Sequence, residues 1–127
     1  MPNSYTEGPA VGAAILSEGQ RHISREVVTF ASGVGKVAPN TVVAKFTSGG
    51  NAGKWGVYTP GATDGTQTAA AVTIYGADAT SADATAVVLK RMAEVKIPEL
   101  IWGAAVTTAA HKTTAYDALA NSNIIAR

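Results

Sequence analysis

The sequence contains no cysteine, and this absence limits both how the protein is stabilised and what chemistry it can perform. Without cysteine there are no disulfide cross-links, no thiolate metal ligands and no thiol nucleophile. Stability must therefore come from packing within the chain or from assembly with other chains.

Charged residues are also scarce. Asp, Glu, Lys and Arg make up 15% of the 127 residues, against about 25% in an average soluble protein. The formal net charge is +1 and the longest basic run is the pair Lys90 and Arg91, so the chain lacks the electrostatic footprint that nucleic acid or an anionic membrane requires. We therefore expect no direct nucleic-acid partner and no membrane partner. A sparsely charged surface indicates that other chains cover part of it.

Long hydrophobic runs are missing as well. The longest early apolar run, residues 9–16 (PAVGAAIL), is interrupted by Gly12 and is far shorter than the ~20 residues of a membrane span. No basic segment precedes it, so neither a transmembrane helix nor a signal peptide is expected. The length of 127 residues fits one domain with one modest core.

The chain divides into two regions that differ in the periodicity of their apolar residues. Residues 1–24 mix proline, glycine, serine and scattered apolar residues without a helical or strand period, which predicts an extended N-terminal arm and not a packed element. Residues 25–127 are predicted to form one β domain, because runs such as VVTF, TVVAKF and WGVYT recur about every ten residues. This spacing is typical of a sandwich or a barrel.

Residues 63–95 carry the clearest strand pattern. After an Asp-Gly turn, alternation predicts a core face bearing Val72 and Ile74 and a more polar face bearing Thr73 and Tyr75. Residues 76–84 are predicted to form a return loop, and the following hydrophobic segment a second strand. Near the C-terminus a short helix is expected, with Thr113 or Thr114 as candidate N-cap and Asn121 as its stop.

No motif for catalysis or ligand binding is complete. The Gly-Lys pairs of SGVGKV and GGNAGKW are followed by valine and tryptophan, whereas a phosphate-binding loop requires Ser or Thr there. His22 and His111 belong to no metal-binding pair, Asp78 and Asp83 flank a loop that offers alanines between them, and there is no Gly-x-Ser-x-Gly elbow. We expect capping or surface histidines, a solvated acidic turn, no cofactor, no metal and no enzymatic activity. A site assembled by the fold from distant Asp, Thr and His residues is the enzymatic alternative.

The large aromatic residues allow two interpretations. Trp55, Trp102, Tyr58 and Tyr75 could form an exposed platform that stacks on sugars or bases. Rings in a small β domain are more often part of the core or of a subunit interface, which is the preferred interpretation. The alternative function is a non-enzymatic surface carbohydrate-binding module that uses Trp55, Trp102 and Tyr58.

Three segments of the sequence resemble a known family. They are REVVTFASGVGKVAPNTVVAK, YTPGATDGTQTAAAVTIYGADATSADATAVVLKRMAEVKIPELIW and ALANSNIIAR. In order they contain a Gly-rich turn, an Asp-Gly before an Ala-rich strand, a short acidic turn, a hydrophobic strand with basic residues, and a Leu-x-Trp. In this the chain is similar to the lambda-type head decoration proteins of tailed phages. The resemblance implies a mainly β fold, with a β-clip or β-barrel-like small domain, an extended N-terminal arm and a short C-terminal helix.

The resemblance also implies a function. A homotrimer would leave the host cytoplasm for the outer surface of the expanded capsid, and there cement neighbouring major capsid proteins at three-fold and quasi-three-fold positions against the pressure of packaged DNA. The arm would add as a strand to a sheet edge of the shell, with apolar side chains filling pockets. The predicted capsid-binding arm residues are Tyr5, Val11, Ile15, Leu16 and Ile23. The residues predicted for the core or the trimer interface are Trp55, Tyr58, Val72, Ile74, Leu89 and Trp102.

Overall fold

The structure of the chain is a computed structural model that describes residues 10–127, apart from the side chains of Arg21 and His22. The strands of this part are β1 (Ile15–Glu18), β2 (Arg25–Phe30), β3 (Gly35–Val37), β4 (Val42–Lys45), β5 (Trp55–Val57), β6 (Ala71–Thr73), β7 (Ala77–Ala79), β8 (Ala84–Leu89), β9 (Ala93–Val95) and β10 (Ile124–Ala126). The helical segments are α1 (Arg21–Ser24), a 3₁₀ turn (Ile97–Glu99) and α2 (Ala109–Ala120).

The centre of the fold is a closed barrel with the strand order β2–β5–β4–β6–β8. Its longest pair is β2 with β8, antiparallel from Arg25 opposite Leu89 to Phe30 opposite Ala84. These strands coincide with β-branched runs of the sequence, whose side chains pack well on a pleated surface. A sheet of order β1–β9–β10 and a two-stranded sheet of β3 and β7 accompany the barrel. The predicted class, mainly β with a barrel-like domain and a short C-terminal helix, is confirmed.

Alternate residues of β4, β6 and β8 enter two hydrophobic cores. The inner core fills the barrel and draws on all five of its strands, with Phe30, Val43 and Val88 among its buried side chains. The outer core contains Val72 and Leu89 of the barrel together with buried residues of α2, β9 and β10. Burying a side chain of this size contributes about 1.5–3 kcal/mol, so the covered strands stabilise the fold from both of their faces.

Strand β6 differs from the pattern that the sequence predicted. All of its residues are buried, including Ala71 and Thr73, and exposure returns only at Tyr75, beyond the end of the strand. The predicted polar face was wrong, because alternation of polarity marks a solvated face only where one side of a sheet is uncovered. Burial of Thr73 is tolerated because its hydroxyl donates to the carbonyl oxygen of Ala38 (2.7 Å) and accepts from the N–H of Thr41 (2.9 Å).

Part of the predicted arm belongs to a sheet. Strand β1 pairs antiparallel with β9, with Ile15 opposite Val95, and Ala14 just before it is 1% exposed. The prediction that residues 1–24 contain no packed element was wrong for β1, because its partner strand lies far along the chain, where no local period reports it. Tyr5 lies outside the described residues. A boundary between arm and domain at residue 24 stays a prediction.

Helix α2 begins earlier than predicted. Its N-cap is Thr108, whose hydroxyl accepts from the N–H of His111. The predicted caps, Thr113 and Thr114, lie inside the helix and donate to carbonyls one turn earlier. The two alanines before His111 are strong helix formers and extend the helix toward the N-terminus, while Asn121 ends it as predicted. Among the described helices, none is long and apolar enough to cross a bilayer.

Two short strands lie in segments where the sequence predicted no strand, and one of them, β7, lies in the predicted return loop. Strands β3 and β7 pair antiparallel, with Gly35 opposite Ala79 and Val37 opposite Ala77. Glycine, alanine and aspartate have low strand preference, so the pairing depends on the fold around it and gives no local signal.

Candidate functional site

His111 has a local structural role at the first turn of α2. Its Nδ1 accepts from the N–H of Thr107 (3.2 Å), and its carbonyl oxygen accepts from the hydroxyl of Tyr58 (2.9 Å). With the N-cap bond from Thr108, these contacts tie the start of α2 to the barrel. The side chain of His22 lies outside the described residues.

The acidic turn is held by bonds within the protein. Asp78 Oδ1 accepts from the hydroxyl and from the N–H (3.1 Å) of Thr80, and these bonds lower the pKa of Asp78. Asp83 pairs with Lys54 Nζ at 2.8 Å and accepts from the N–H of Ser32 at 2.8 Å, and both contacts lower its pKa. The two carboxylates thus serve separate turns. Among the side chains that the structure describes, which exclude that of His22, no group of three or more His, Asp or Glu residues is arranged to hold a metal ion.

Of the four candidate platform residues, Trp55 and Tyr58 are buried and Trp102 is partly buried, whereas Tyr75 is 48% exposed. Trp55 is 4% exposed inside the barrel, and Tyr58 is 2% exposed in the outer core, where burial raises its pKa. Trp102 makes edge contacts with Tyr58 (6.3 Å between ring centroids) and Tyr116 (5.7 Å), and Lys112 Nζ lies 5.7 Å from its ring. Because the ring faces of Trp55 and Tyr58 are covered, these contacts oppose the carbohydrate-binding alternative.

The aliphatic residues predicted for the core or the trimer interface lie in the outer core. Val72, Ile74 and Leu89 are buried there beside Leu119 of α2, and Trp102 packs against them from a partly buried position. These residues therefore pack in the hydrophobic core of their own chain. Their contact with another copy stays a prediction.

The described residues of the predicted capsid-binding arm divide into two groups. Ile15 is turned toward the outer core and packs against it. Leu16 is 46% exposed, and Val11 and Ile23 are exposed to a similar degree. Three apolar side chains therefore remain available to another surface.

A groove follows the outward face of the β1–β9–β10 sheet. Ser17, Glu94 and Ile125 form one row across this sheet, and Gly19 and Met92 continue the lining of a groove of about 460 Å³. Ile125 and Met92 are exposed. Sequence reasoning missed both, because their exposure depends on which strands meet here, and a lone apolar residue carries no signal of this kind.

An ion pair joins the last residue of β1 to the first residue of β2. Arg25 Nη2 lies 2.6 Å from Glu18 Oε1, and the hydroxyl of Ser24 donates to Glu18 Oε2 at 2.8 Å. The hydrogen bond with Glu18 raises the pKa of Arg25 above its usual value. The pair fixes the short connection that contains α1.

The described residues thus form a small barrel with exposed apolar side chains beside an outer sheet, in which Asp78, Asp83 and His111 are engaged in turns and in the start of α2. The family model for bacteriophage lambda head decoration protein D matches residues 4–124. The chain belongs to this family of phage head decoration proteins, and the resemblance seen in the sequence is confirmed. A search of curated proteins found no match.

Membership in the family fixes the broad role of the chain. A head decoration protein is a structural component of the virion and associates with the phage capsid. This role fits a protein without enzymatic activity.

Proposed function

We propose that the chain forms a homotrimer that binds the major capsid protein on the outer surface of the expanded capsid, at three-fold and quasi-three-fold positions, and stabilises the head against the pressure of packaged DNA. The observation that carries this proposal is the family match over residues 4–124. The low charge of the chain, at 15% of residues, supports it, since surfaces covered by other chains need few charges.

The mechanism of binding is the addition of an extended segment to a sheet edge of the shell. Main-chain hydrogen bonds supply affinity, and exposed apolar side chains such as Val11 and Leu16 fill pockets. Ordering such a segment costs about 1–2 kcal/mol per residue in backbone entropy. Three arms linked in one trimer offset this cost, because the second and third arms bind at a high effective concentration.

The contacts of β1 guide which residues we propose for this mechanism. Ile15 packs on the outer core of its own chain, and one edge of β1 is already paired with β9. The segment that reaches the shell is therefore the chain before β1, and Leu16 and Ile23 contribute as exposed side chains on the domain.

Light scattering is the first test. The purified chain should have three times the 12.9 kDa mass of one copy, and it should move with expanded empty shells when they are mixed. A monomer would refute the trimer, and a protein that stays free of shells would refute the decoration site.

A truncation then tests the arm. Removing residues 1–9 leaves β1 and its pairing with β9 in place, so the variant should still form a trimer and keep its melting temperature while losing shell binding. Undiminished binding by this variant would show that the arm mechanism is wrong, even if the trimer and its site on the capsid are right.

A further inference from the structure

Asn40 lies in a rigid loop that connects β3 to β4. Its backbone has a φ of +66°, and the residue is 1% exposed. Its N–H donates to the carbonyl oxygen of Thr73 (2.8 Å), and its own carbonyl oxygen accepts from the N–H of Ile101 (2.8 Å). The hydroxyl of Thr73 adds bonds to Ala38 and Thr41 on either side. The loop is therefore held to the barrel from several directions.

The side chain of Asn40 reaches from this loop to the N-terminal segment. Its Oδ1 accepts from the N–H of Ala14 (3.1 Å), and its Nδ2 donates to the carbonyl oxygen of Ala10 (2.8 Å). One amide thus satisfies a donor and an acceptor of the same turn, in which Gly12 adopts a φ of +70°. A carboxylate would keep the acceptor but lose the donor, and an aliphatic side chain would lose both.

Ala14 is also held from its other side, where its carbonyl oxygen accepts from the N–H of Lys96 at 2.7 Å. Strand β1 begins at the next residue. The turn of residues 10–14 is therefore held between Asn40 and the end of β9, and its first residue, Ala10, is bonded to the loop by the Asn40 side chain.

We propose that Asn40 is a positioning residue that anchors the base of the capsid-binding arm, so that fewer residues must become ordered when the arm meets the shell. The inference rests on the proposed function for its consequence at the capsid. If the anchor is released, every residue that loses its prior order weakens binding by about five- to thirty-fold.

Asn40→Gly tests the anchor, because glycine keeps the left-handed backbone and removes both side-chain bonds. Asn40→Asp retains the acceptor for Ala14 and removes the donor to Ala10. Asn51→Gly, at an exposed position in the β4–β5 loop, is the matched control for the same change in composition. Hydrogen exchange of single amides is measured in the full chain, and binding to expanded empty shells is measured by sedimentation.

In Asn40→Gly the Ala14 amide should exchange at least about tenfold faster, since it loses its acceptor. The Val88 amide in the barrel should be unchanged, which shows that the variant is folded. Shell binding should weaken by at least about five- to thirty-fold, the effect of losing order at one residue, with a smaller loss in Asn40→Asp and none in Asn51→Gly.

Two results would overturn the inference: an Ala14 amide as protected in Asn40→Gly as in the wild type, or faster exchange there with shell binding unchanged. A wild-type chain that does not bind shells would refute the proposed function instead. Exchange at Ala14 would then decide by itself whether Asn40 anchors the turn.

Discussion

Leu119 joins α2 to the barrel, and Leu119→Ala tests whether the outer core is an integral part of the fold. The side chain is fully buried among residues of the barrel and of β9 and β10. The substitution removes three carbon atoms, a transfer loss of about 2.4 kcal/mol at about 0.8 kcal/mol each. A remaining cavity adds to this, and buried leucines typically cost about 2.7–5 kcal/mol on truncation to alanine. We expect the free energy of unfolding to fall by about 3–4 kcal/mol.

Urea unfolding followed by tryptophan fluorescence measures this loss. With a urea dependence of about 1.5 kcal/mol/M, the midpoint should fall by about 2 M. Trp55 reports on the inner core and Trp102 on the outer core, so one transition shows that both cores unfold together. Protein concentration is kept equal between variants, because an oligomer gains stability by mass action.

The matched control is Leu16→Ala, which makes the same chemical change at a side chain that is 46% exposed. No cavity forms there, and the loss should stay below about 1 kcal/mol, or about 0.7 M in the urea midpoint. Equal shifts for the two variants would refute the assignment of α2 to the core. So would a separate early transition of the outer core in Leu119→Ala.

Two further predictions concern the turn between β5 and β6. Gly65→Ala should lower the melting temperature far more than Gly61→Ala. Gly65 has a φ of +106° and its Cβ would lie 2.5 Å from the carbonyl oxygen of Lys45, whereas Gly61 has a φ of +84° in open space and bears only backbone strain of about 1–2 kcal/mol. Equal melting temperatures would contradict the clash. Hydrogen bonds from Thr66 lower the pKa of Asp64, so the stability that this carboxylate contributes is complete above about pH 4 and is lost as the pH falls through its lower folded pKa. Asp64→Asn should therefore reduce the difference between urea midpoints at pH 5 and pH 2.5, and an unchanged difference would count against this role.

The barrel could be predicted wherever strands carry their own local preference. The β-branched and aromatic runs of β2, β4, β5 and β8 lie where the sequence placed strands. Strands β1, β3, β7, β9 and β10 were missed because they are short, contain Gly, Ala, Ser or Asp, and exist through pairing with distant segments. The start of α2 was placed too late, because threonines inside the helix resemble N-caps until the true cap at Thr108 is seen.

The burial of the aromatic residues could be predicted from the sequence, but the contacts of Asn40 could not. The burial of Trp55 and Tyr58 follows from the size of aromatic rings in a small domain, and it was the preferred interpretation. The role of Asn40 was hidden, since its side chain bonds to main-chain atoms that lie 26 and 30 residues away. Any residue type has those main-chain atoms, so no sequence motif marks the contact.

The entry of β6 into two cores changes what a register error would do. In a sheet with one solvated face, a slip by one residue carries apolar side chains into water. Here Ala71 enters the barrel and Val72 enters the outer core, so a slip would force a valine into an already filled interior and leave a void beneath α2. Side-chain volume therefore helps to specify the register of this strand, since one core accepts the smaller residue and the other requires the larger.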